Sequence, residues 1–428
     1  MQIRKIYKQF LSCSTITMDS RDVPPQSLFF ALKGENFNGN RFAGEALSKG
    51  ARYALVDEEQ YARDDRFLLV NDVLQTMHEL ATYHREQLKV QVIGITGSNG
   101  KTTTKALIEQ ILARTYNTIA TEKNYNNHIG LPFTLLKMDA EHQIAVLEMG
   151  ANHPGEIKFL CEIAKPDFGL ITNIGKAHLE GFGSYEGVIK TKNEMYEYVD
   201  SNKGTIFYNS DNELLKDLLK NKTCRKIDYG TSDNAYCAGK IVSSDPYIMF
   251  SVKGLPLIRS NLIGNYNFEN LLAGVCLGKY FKVPPEQISE AVAGYTPDNN
   301  RSQVMQKASN EIILDAYNAN PTSMKAAINN FSQLQRKNKA LILGDMFELG
   351  EFSDEEHQNI ISLVNKHSFS AVFYIGPVFR ANAGSNHYTF HTTPDFIEWL
   401  KGNPLKNFTI LIKGSRGMAL EEIISYLE

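Results

Sequence analysis

The segment from Val90 to Leu112, VQVIGITGSNGKTTTKALIEQIL, constrains this chain more than any other. Its apolar-rich positions from Val90 to Ile95 predict a buried strand, and the run after Lys105 has helical spacing. Between them stand Gly97, Ser98, Asn99, Gly100, Lys101, Thr102 and Thr103. Strand, glycine turn and helix in this order make a phosphate-binding loop. The glycines let the backbone turn tightly and aim N–H groups at an anion, and the helix start adds the positive end of its dipole. Lys101 would reach the outer phosphates, and the Thr102 hydroxyl would take one position on Mg²⁺. The competing reading is a plain turn ending in a solvated lysine. The usual loop has a further glycine where this chain has Ile95, so the shortened G-x-x-G-K-T form is itself informative.

The strand-helix alternation continues past this loop. QIAVLEMG and DFGLITNIG are each followed by polar loop residues and a helical pattern, as are EIILDAY, ALILGD, AVFYIG and FTILIKG near the C-terminus. That is the signature of α/β architecture with parallel sheets. At 428 residues the chain exceeds one ordinary core. We divide it into a small α/β unit (1–88), a central P-loop parallel-sheet unit (89–300) and a Rossmann-like unit (301–428). Residues from Cys224 to Ile258 predict small antiparallel strands. Ser353, three residues before Glu356, predicts a capping box, and SRGMALEEIISYL a short final helix.

A formal net charge of −3 offers no electrostatic case for nucleic acid. The cysteines Cys13, Cys161, Cys224, Cys237 and Cys276 are scattered without a C-x-x-C pair, which fits a reducing compartment. No apolar run has the length of a signal peptide or a membrane span. The expectation is a soluble cytoplasmic protein without membrane insertion, and nothing demands more than a monomer.

In α/β sheets ligands collect beyond the carboxyl ends of the strands. Glu148 follows QIAVL, where a carboxylate would complete the Mg²⁺ shell begun by Thr102 or, alternatively, cap the next helix. His178 follows DFGLITNIG; a lone loop histidine is often incidental. In the helix SYEGVIKTKNEMYEYV, positions Val188, Lys192, Met195 and Val199 share one face, which puts Lys192 on the apolar stripe. Lys190 points elsewhere and is expected to pair with Glu194. A desolvated lysine exposes a nucleophilic amine that can add CO₂, giving a carbamate that ligates metal like a carboxylate. A snorkelling side chain is the alternative.

Taken together, G-x-x-G-K-T, the later Glu and His, and the lysine in KTKNEMY resemble the Mur ligase family of ATP-dependent amide ligases. The resemblance runs the length of the chain. MDSRDVPPQSLFFALKGENFNGNRFAGEAL resembles the first domain, which holds the uridine nucleotide end of the substrate; TEKNYNNHIGLPFTLL resembles the loop contacting the sugar-peptide; GNYNFENLLAG resembles the adenine-side motif. DAYNANPTSM and LGDMFELGE resemble the branch that joins D-Ala-D-Ala to UDP-MurNAc-tripeptide. The sister ligase adding the third amino acid usually carries D-Y-A-H-x-P at that point, and its D-N-P-R motif lies later than DNNR does here. Folate-type polyglutamate ligases lack the first-domain pattern. The chain departs from the family's usual residues at Asn38 to Asn40, at His128 and at Tyr266.

The resemblance implies ATP, two Mg²⁺ ions and a carbamylated Lys192. It implies that Lys101, Lys192, His178 and Arg301 serve catalysis, with Thr102, Glu148, His178 and Lys192 on metal. Gly97 to Thr103 would hold phosphates, Asn267 and Asn270 adenine, and Asp315 the ribose, with Asn318 and Arg301 also at the nucleotide. Ser20, Arg21, Phe30, Lys33, Gly34, Asn126, Asn127 and Asn320 would contact the substrates, UDP-MurNAc-tripeptide and D-Ala-D-Ala. A nucleotide-binding regulator without turnover and a small-molecule kinase are the readings from other classes.

Overall fold

A computed structural model describes residues 3–297, 300–384 and 387–427. Among these residues the strands form three main sheets and one short hairpin, Lys33–Gly34 with Phe37–Asn38. In the first unit Ile16–Thr17, Leu28–Phe30, Tyr53–Val56 and Phe67–Leu69 pair in parallel. The helix Val73–Gln87 closes this unit in sequence but packs on the central one. Its Arg85 Nε donates to the Ala164 carbonyl at 3.0 Å.

The central sheet runs in the order Ile258–Ile263, Tyr247–Val252, Cys237–Ser243, Arg225–Gly230, Thr205–Asn209, Phe168–Ile171, Gln91–Thr96, Ile144–Glu148, Thr118–Ala120. The strands Ile144–Glu148 and Phe168–Ile171 are buried throughout, and Gln91–Thr96 after its first residue. Helices cover both faces of a parallel sheet, which is why these strands read as continuous apolar runs. The two layers of core on either face are built around Leu147, Met195 and Tyr196 on one side and Ile95, Ile108 and Leu272 on the other. The third sheet has the order Gln303–Lys307, Asn310–Asp315, Thr409–Lys413, Lys339–Gly344, Ala371–Ile375, Tyr388–Phe390, parallel except at its first pair.

Four local expectations are corrected. Arg225–Gly230 is not part of an antiparallel group; it extends the parallel sheet, and only Cys237–Ser243, Tyr247–Val252 and Ile258–Ile263 pair antiparallel. The Ser353–Glu356 capping box does not form. The Glu356 carboxylate is drawn instead to the Lys176 ammonium of the central unit, 2.5 Å away. The C-terminal helix is two 3-10 segments, Arg416–Met418 and Leu420–Tyr426. Glu194 does not pair with Lys190; its two oxygens accept the Gly155 and Lys158 N–H groups at 2.9 Å, capping the helix Glu156–Ala164. A free helix N-terminus offers two oriented donors, which a mobile surface ammonium does not match. Asp298 and Asn299 of the DNNR segment lie outside the described residues.

Candidate active site

The strand Gln91–Thr96 delivers the chain into the phosphate loop, and the helix Lys101–Leu112 begins directly after Gly100. Gly97 (φ 142°) and Gly100 (φ 80°) take backbone angles that side-chain-bearing residues rarely adopt. A Cβ on the first would collide with Thr172 Oγ1, and one on the second with Asn270 Oδ1. The neighbouring strand's end fixes the loop from below. Ser98 N–H donates to the Asn173 carbonyl (2.9 Å), Asn99 N–H to Asn173 Oδ1 (3.0 Å), and Thr172 Oγ1 to the Asn99 carbonyl (2.6 Å). Lys101 folds over the turn, its Nζ donating to the Gly97 carbonyl at 2.7 Å and the Ser98 carbonyl at 3.2 Å. Desolvation lowers the pKa of this amine; Glu148 opposes that shift and Arg301 adds to it.

A cavity of about 850 Å³ opens above the loop. It is lined by Ser98 through Thr103, by Asn126, Asn127, Glu148 and His178 of the central unit, by Asn267 and Asn270, and by Arg301, Asp315, Asn318 and Asn320 from beyond residue 300. Gly97 is not in the cavity wall. Ser20, Arg21, Phe30, Lys33 and Gly34 are not in it either. Arg21 pairs with Asp19 in solvent, and the Ser20 carbonyl accepts Lys49 Nζ. Lys33 pairs with Asp57 and Glu58, Gly34 is exposed, and Phe30 is wholly buried in the first unit's core.

Glu148 is only 2% exposed. One oxygen accepts Asn126 Nδ2 at 2.8 Å, while Oε2 is buried without a partner among the described residues. An orphaned carboxylate oxygen in a buried wall is costly unless a cation completes it. Among the described residues no three His, Cys, Asp or Glu side chains cluster closely enough to hold a metal on their own. Mg²⁺ takes one or two protein oxygens and fills its shell with water and substrate phosphates. Glu148 Oε2 and Thr102 at the start of the helix are fitting donors for it.

Lys192 is 2% exposed, and Val188, Met195 and Val199 of the same face are buried with it. Its ammonium stands 5.4 Å from the Phe182 ring, and among the described residues it has no hydrogen-bond or ion-pair partner. Burial, reinforced by Lys101, pulls its pKa down to about 7. The amine is therefore substantially neutral at physiological pH, as CO₂ addition requires. Lys192 lies behind the cavity wall rather than in it. His178 takes a left-handed backbone (φ 53°) at the start of a short helix and hydrogen-bonds through Nδ1 to Glu348 of the C-terminal unit.

Asn270 and Asn267 form a chain beside the loop: Asn270 Nδ2 donates to Asn267 Oδ1 (2.9 Å), and Asn270 Oδ1 accepts Thr104 Oγ1 (3.1 Å). Arg301 is stacked on Tyr317, 3.8 Å from the ring centroid, with its buried Nε unpartnered among the described residues. Its neighbours Asn300 and Ser302 both have positive φ, 52° and 50°. Asp315 is held by Lys413 Nζ at 2.6 Å, and Asn320 caps the helix Pro321–Gln333 while reaching the phosphate loop.

Lys413 and Glu348 were not singled out from the sequence. Lys413 ends the strand Thr409–Lys413, so the carboxyl-end rule that located Glu148 would have found it. Glu348 stands within LGDMFELGE, four residues past the strand Lys339–Gly344, but its pairing with His178, 170 residues away, has no local signal.

The chain matches the Mur ligase family catalytic domain over residues 12–98, the Mur ligase middle domain over 95–278, and the Mur ligase glutamate ligase domain over 300–416. It is 36% identical to the UDP-N-acetylmuramoyl-tripeptide--D-alanyl-D-alanine ligase of Bacillus subtilis (strain 168), over 96% of this chain and 92% of that one. A crystal structure of MurF from Acinetobacter baumannii superposes with a TM-score of 0.87 at 28% identity, covering 99% of this chain and 98% of that one. MurF from Thermotoga maritima in complex with ADP superposes at 0.86 and 25% identity, covering 97% of each.

Proposed function

The chain belongs to the Mur ligase family, and from that membership we propose that it joins D-Ala-D-Ala to UDP-MurNAc-tripeptide at the expense of ATP, forming UDP-MurNAc-pentapeptide for peptidoglycan synthesis. The observation that carries this reading is one cavity in which the phosphate loop, the orphaned Glu148 oxygen and the C-terminal Arg301 and Asp315 meet. The chain around it aligns from end to end with ligases of that name.

A carboxylate is a poor electrophile. The tripeptide's terminal carboxylate oxygen attacks the γ-phosphorus of ATP, ADP leaves, and an acyl phosphate results. The dipeptide amine then adds to the acyl carbon, loses a proton, and the tetrahedral intermediate expels inorganic phosphate as the amide forms. The protein's task is to position anionic partners and offset their charge. Lys101 steadies the phosphates. Thr102 and Glu148 would hold one Mg²⁺, and His178 with a carbamylated Lys192 would hold a second. When bound, the metals neutralise charge between the two anions. Gly97 to Thr103 wrap the phosphates, Asn267 and Asn270 border adenine, and Asp315 and Asn318 the ribose side.

Residues 1–88, 89–300 and 301–428 act as moving parts with hinges near Lys89 and Arg301. Closure brings Arg301 onto the phosphates and keeps water from the acyl phosphate. Asn126, Asn127 and Asn320 contact the peptide substrates. Ser20, Arg21, Lys33 and Gly34 hold the uridine end, with Phe30 supporting them from the core. ATP and nucleotide-sugar substrates belong to the cytoplasm, where we place the enzyme.

The test is phosphate release across a panel of nucleotide-peptides and amines. Release should require both UDP-MurNAc-tripeptide and D-Ala-D-Ala. Equal turnover with a single amino acid assigns the chain to the sister ligase, and a stable phosphorylated product makes it a kinase.

A further inference from the structure

Among the groups this chemistry leaves without a role, Glu348 is the one whose surroundings are most specific. It lies in the LGDMFELG segment after the strand Lys339–Gly344, on the C-terminal unit. It meets the loop of His178 in the central unit at two points, one at His178 itself and one at Glu180. The His178 Nδ1–H donates to Glu348 Oε2, and the Glu348 carbonyl accepts the Glu180 N–H at 3.2 Å. Both residues line the cavity. Both also hold left-handed backbone, φ 53° at His178 and 62° at Glu348. Non-glycine residues persist in that region only where their surroundings impose it, and they concentrate at functional sites. Here two such residues, from two units, face each other across the cleft.

An imidazole bound by a carboxylate at one nitrogen is fixed in rotation and tautomer. Its other nitrogen keeps the lone pair, and the carboxylate makes it a better donor. Glu348 takes Nδ1, and among the described residues Nε2 has no protein partner. The loop carrying His178 is clamped to the C-terminal unit on its other side as well. Lys176 Nζ meets the buried Glu356 at 2.5 Å, and the Lys176 N–H donates to Thr322 Oγ1 at 3.1 Å.

We propose that Glu348 is a positioning residue for the metal site of His178: it arrives with the C-terminal unit, orients the imidazole so that Nε2 faces the ion, and thereby makes tight binding of that ion depend on docking of the unit. This rests on the role given to His178 under the proposed function. The pair Lys176–Glu356 on the same loop supplies docking alone.

The experiment counts Mn²⁺, standing in for Mg²⁺, on the full-length protein by electron paramagnetic resonance, with a non-hydrolysable ATP analogue and UDP-MurNAc-tripeptide present. Wild type should bind two ions. Glu348→Ala should weaken the second about 10–100-fold and leave the first unchanged, which also certifies folding. Glu348→Gln, which keeps an acceptor for Nδ1–H, should recover part of the loss, and Glu356→Gln should weaken the second ion less than Glu348→Ala does. Unchanged second-ion binding in Glu348→Ala overturns the proposal alone. So does equal weakening by Glu348→Ala and Glu356→Gln, which would make Glu348 a docking contact only. A single ion on wild type overturns this proposal together with the two-metal reading beneath it.

Discussion

Asn320 donates a hydrogen bond from Nδ2 to Asn99 Oδ1 at 2.8 Å, tying the first turn of a C-terminal helix to the tip of the phosphate loop. The same Asn320 accepts the Ser323 N–H through Oδ1 at 2.9 Å, so one side chain both starts its helix and reads the loop. Asn320→Ser separates these jobs, because serine caps well but is too short to reach Asn99. With a hydrogen bond worth about 1 kcal/mol, we expect a roughly fivefold drop in kcat/KM for ATP and an unchanged Tm. A matching fall in Tm would show that only the cap mattered.

Lys413 is 1% exposed and donates to Asp315 at 2.6 Å. Asp315 is only partly buried, on the cavity wall, so removing the lysine strands its charge at less than the about 3–5 kcal/mol of a fully buried pair. Lys413→Met should therefore lower Tm and weaken ADP binding. Adding Asp315→Asn should restore Tm but not ADP affinity, as calorimetry would show. Recovery of both would remove Asp315 from the nucleotide site.

Lys192→Ala should nearly abolish ligation, and high bicarbonate should not rescue it. Lys192→Glu, which puts a carboxylate where the carbamate would be, should recover part. Wild-type turnover in Lys192→Ala would remove the carbamate from the mechanism.

His84 supplies the pH dependence of stability. Its Nε2 stands 2.8 Å from the Met138 carbonyl and its Nδ1 3.1 Å from the Tyr7 hydroxyl, and the residue is only 3% exposed. Burial lowers its pKa, as it does for His78 and His357. Below about pH 6.5 the unfolded chain binds protons that the folded chain refuses, so stability falls with pH until the folded ring titrates. Tm should drop between pH 7 and pH 5, with a shallower slope in His84→Gln. An identical slope would place the dependence elsewhere.

Local order was written plainly in the sequence where it depends on residues close together. The strand, glycine turn and helix around Gly97 to Lys101 were of this kind, as was the face that buries Lys192 with Val188 and Met195. The carboxyl-end rule brought Glu148 and His178 to the same cavity as the loop. What escaped was pairing across units. Glu356 abandoned its predicted cap for Lys176, Glu194 left Lys190 for a neighbouring helix's N–H groups, and Glu348 met His178. Glu356 and Glu194 each had a near partner in the sequence and a better one in space, while Glu348 had none nearby at all. Spacing along the chain carries no information about the partner in space.

The proposed reaction turns on one bond, from a carboxylate oxygen of the tripeptide to the γ-phosphorus of ATP. The most direct measurement labels both oxygens of that carboxylate with oxygen-18, runs a complete reaction with D-Ala-D-Ala, and weighs the phosphate released. An acyl phosphate route transfers one labelled oxygen into each phosphate, and that is the result expected. Phosphate released without label, alongside amide formed at the normal rate, would contradict it.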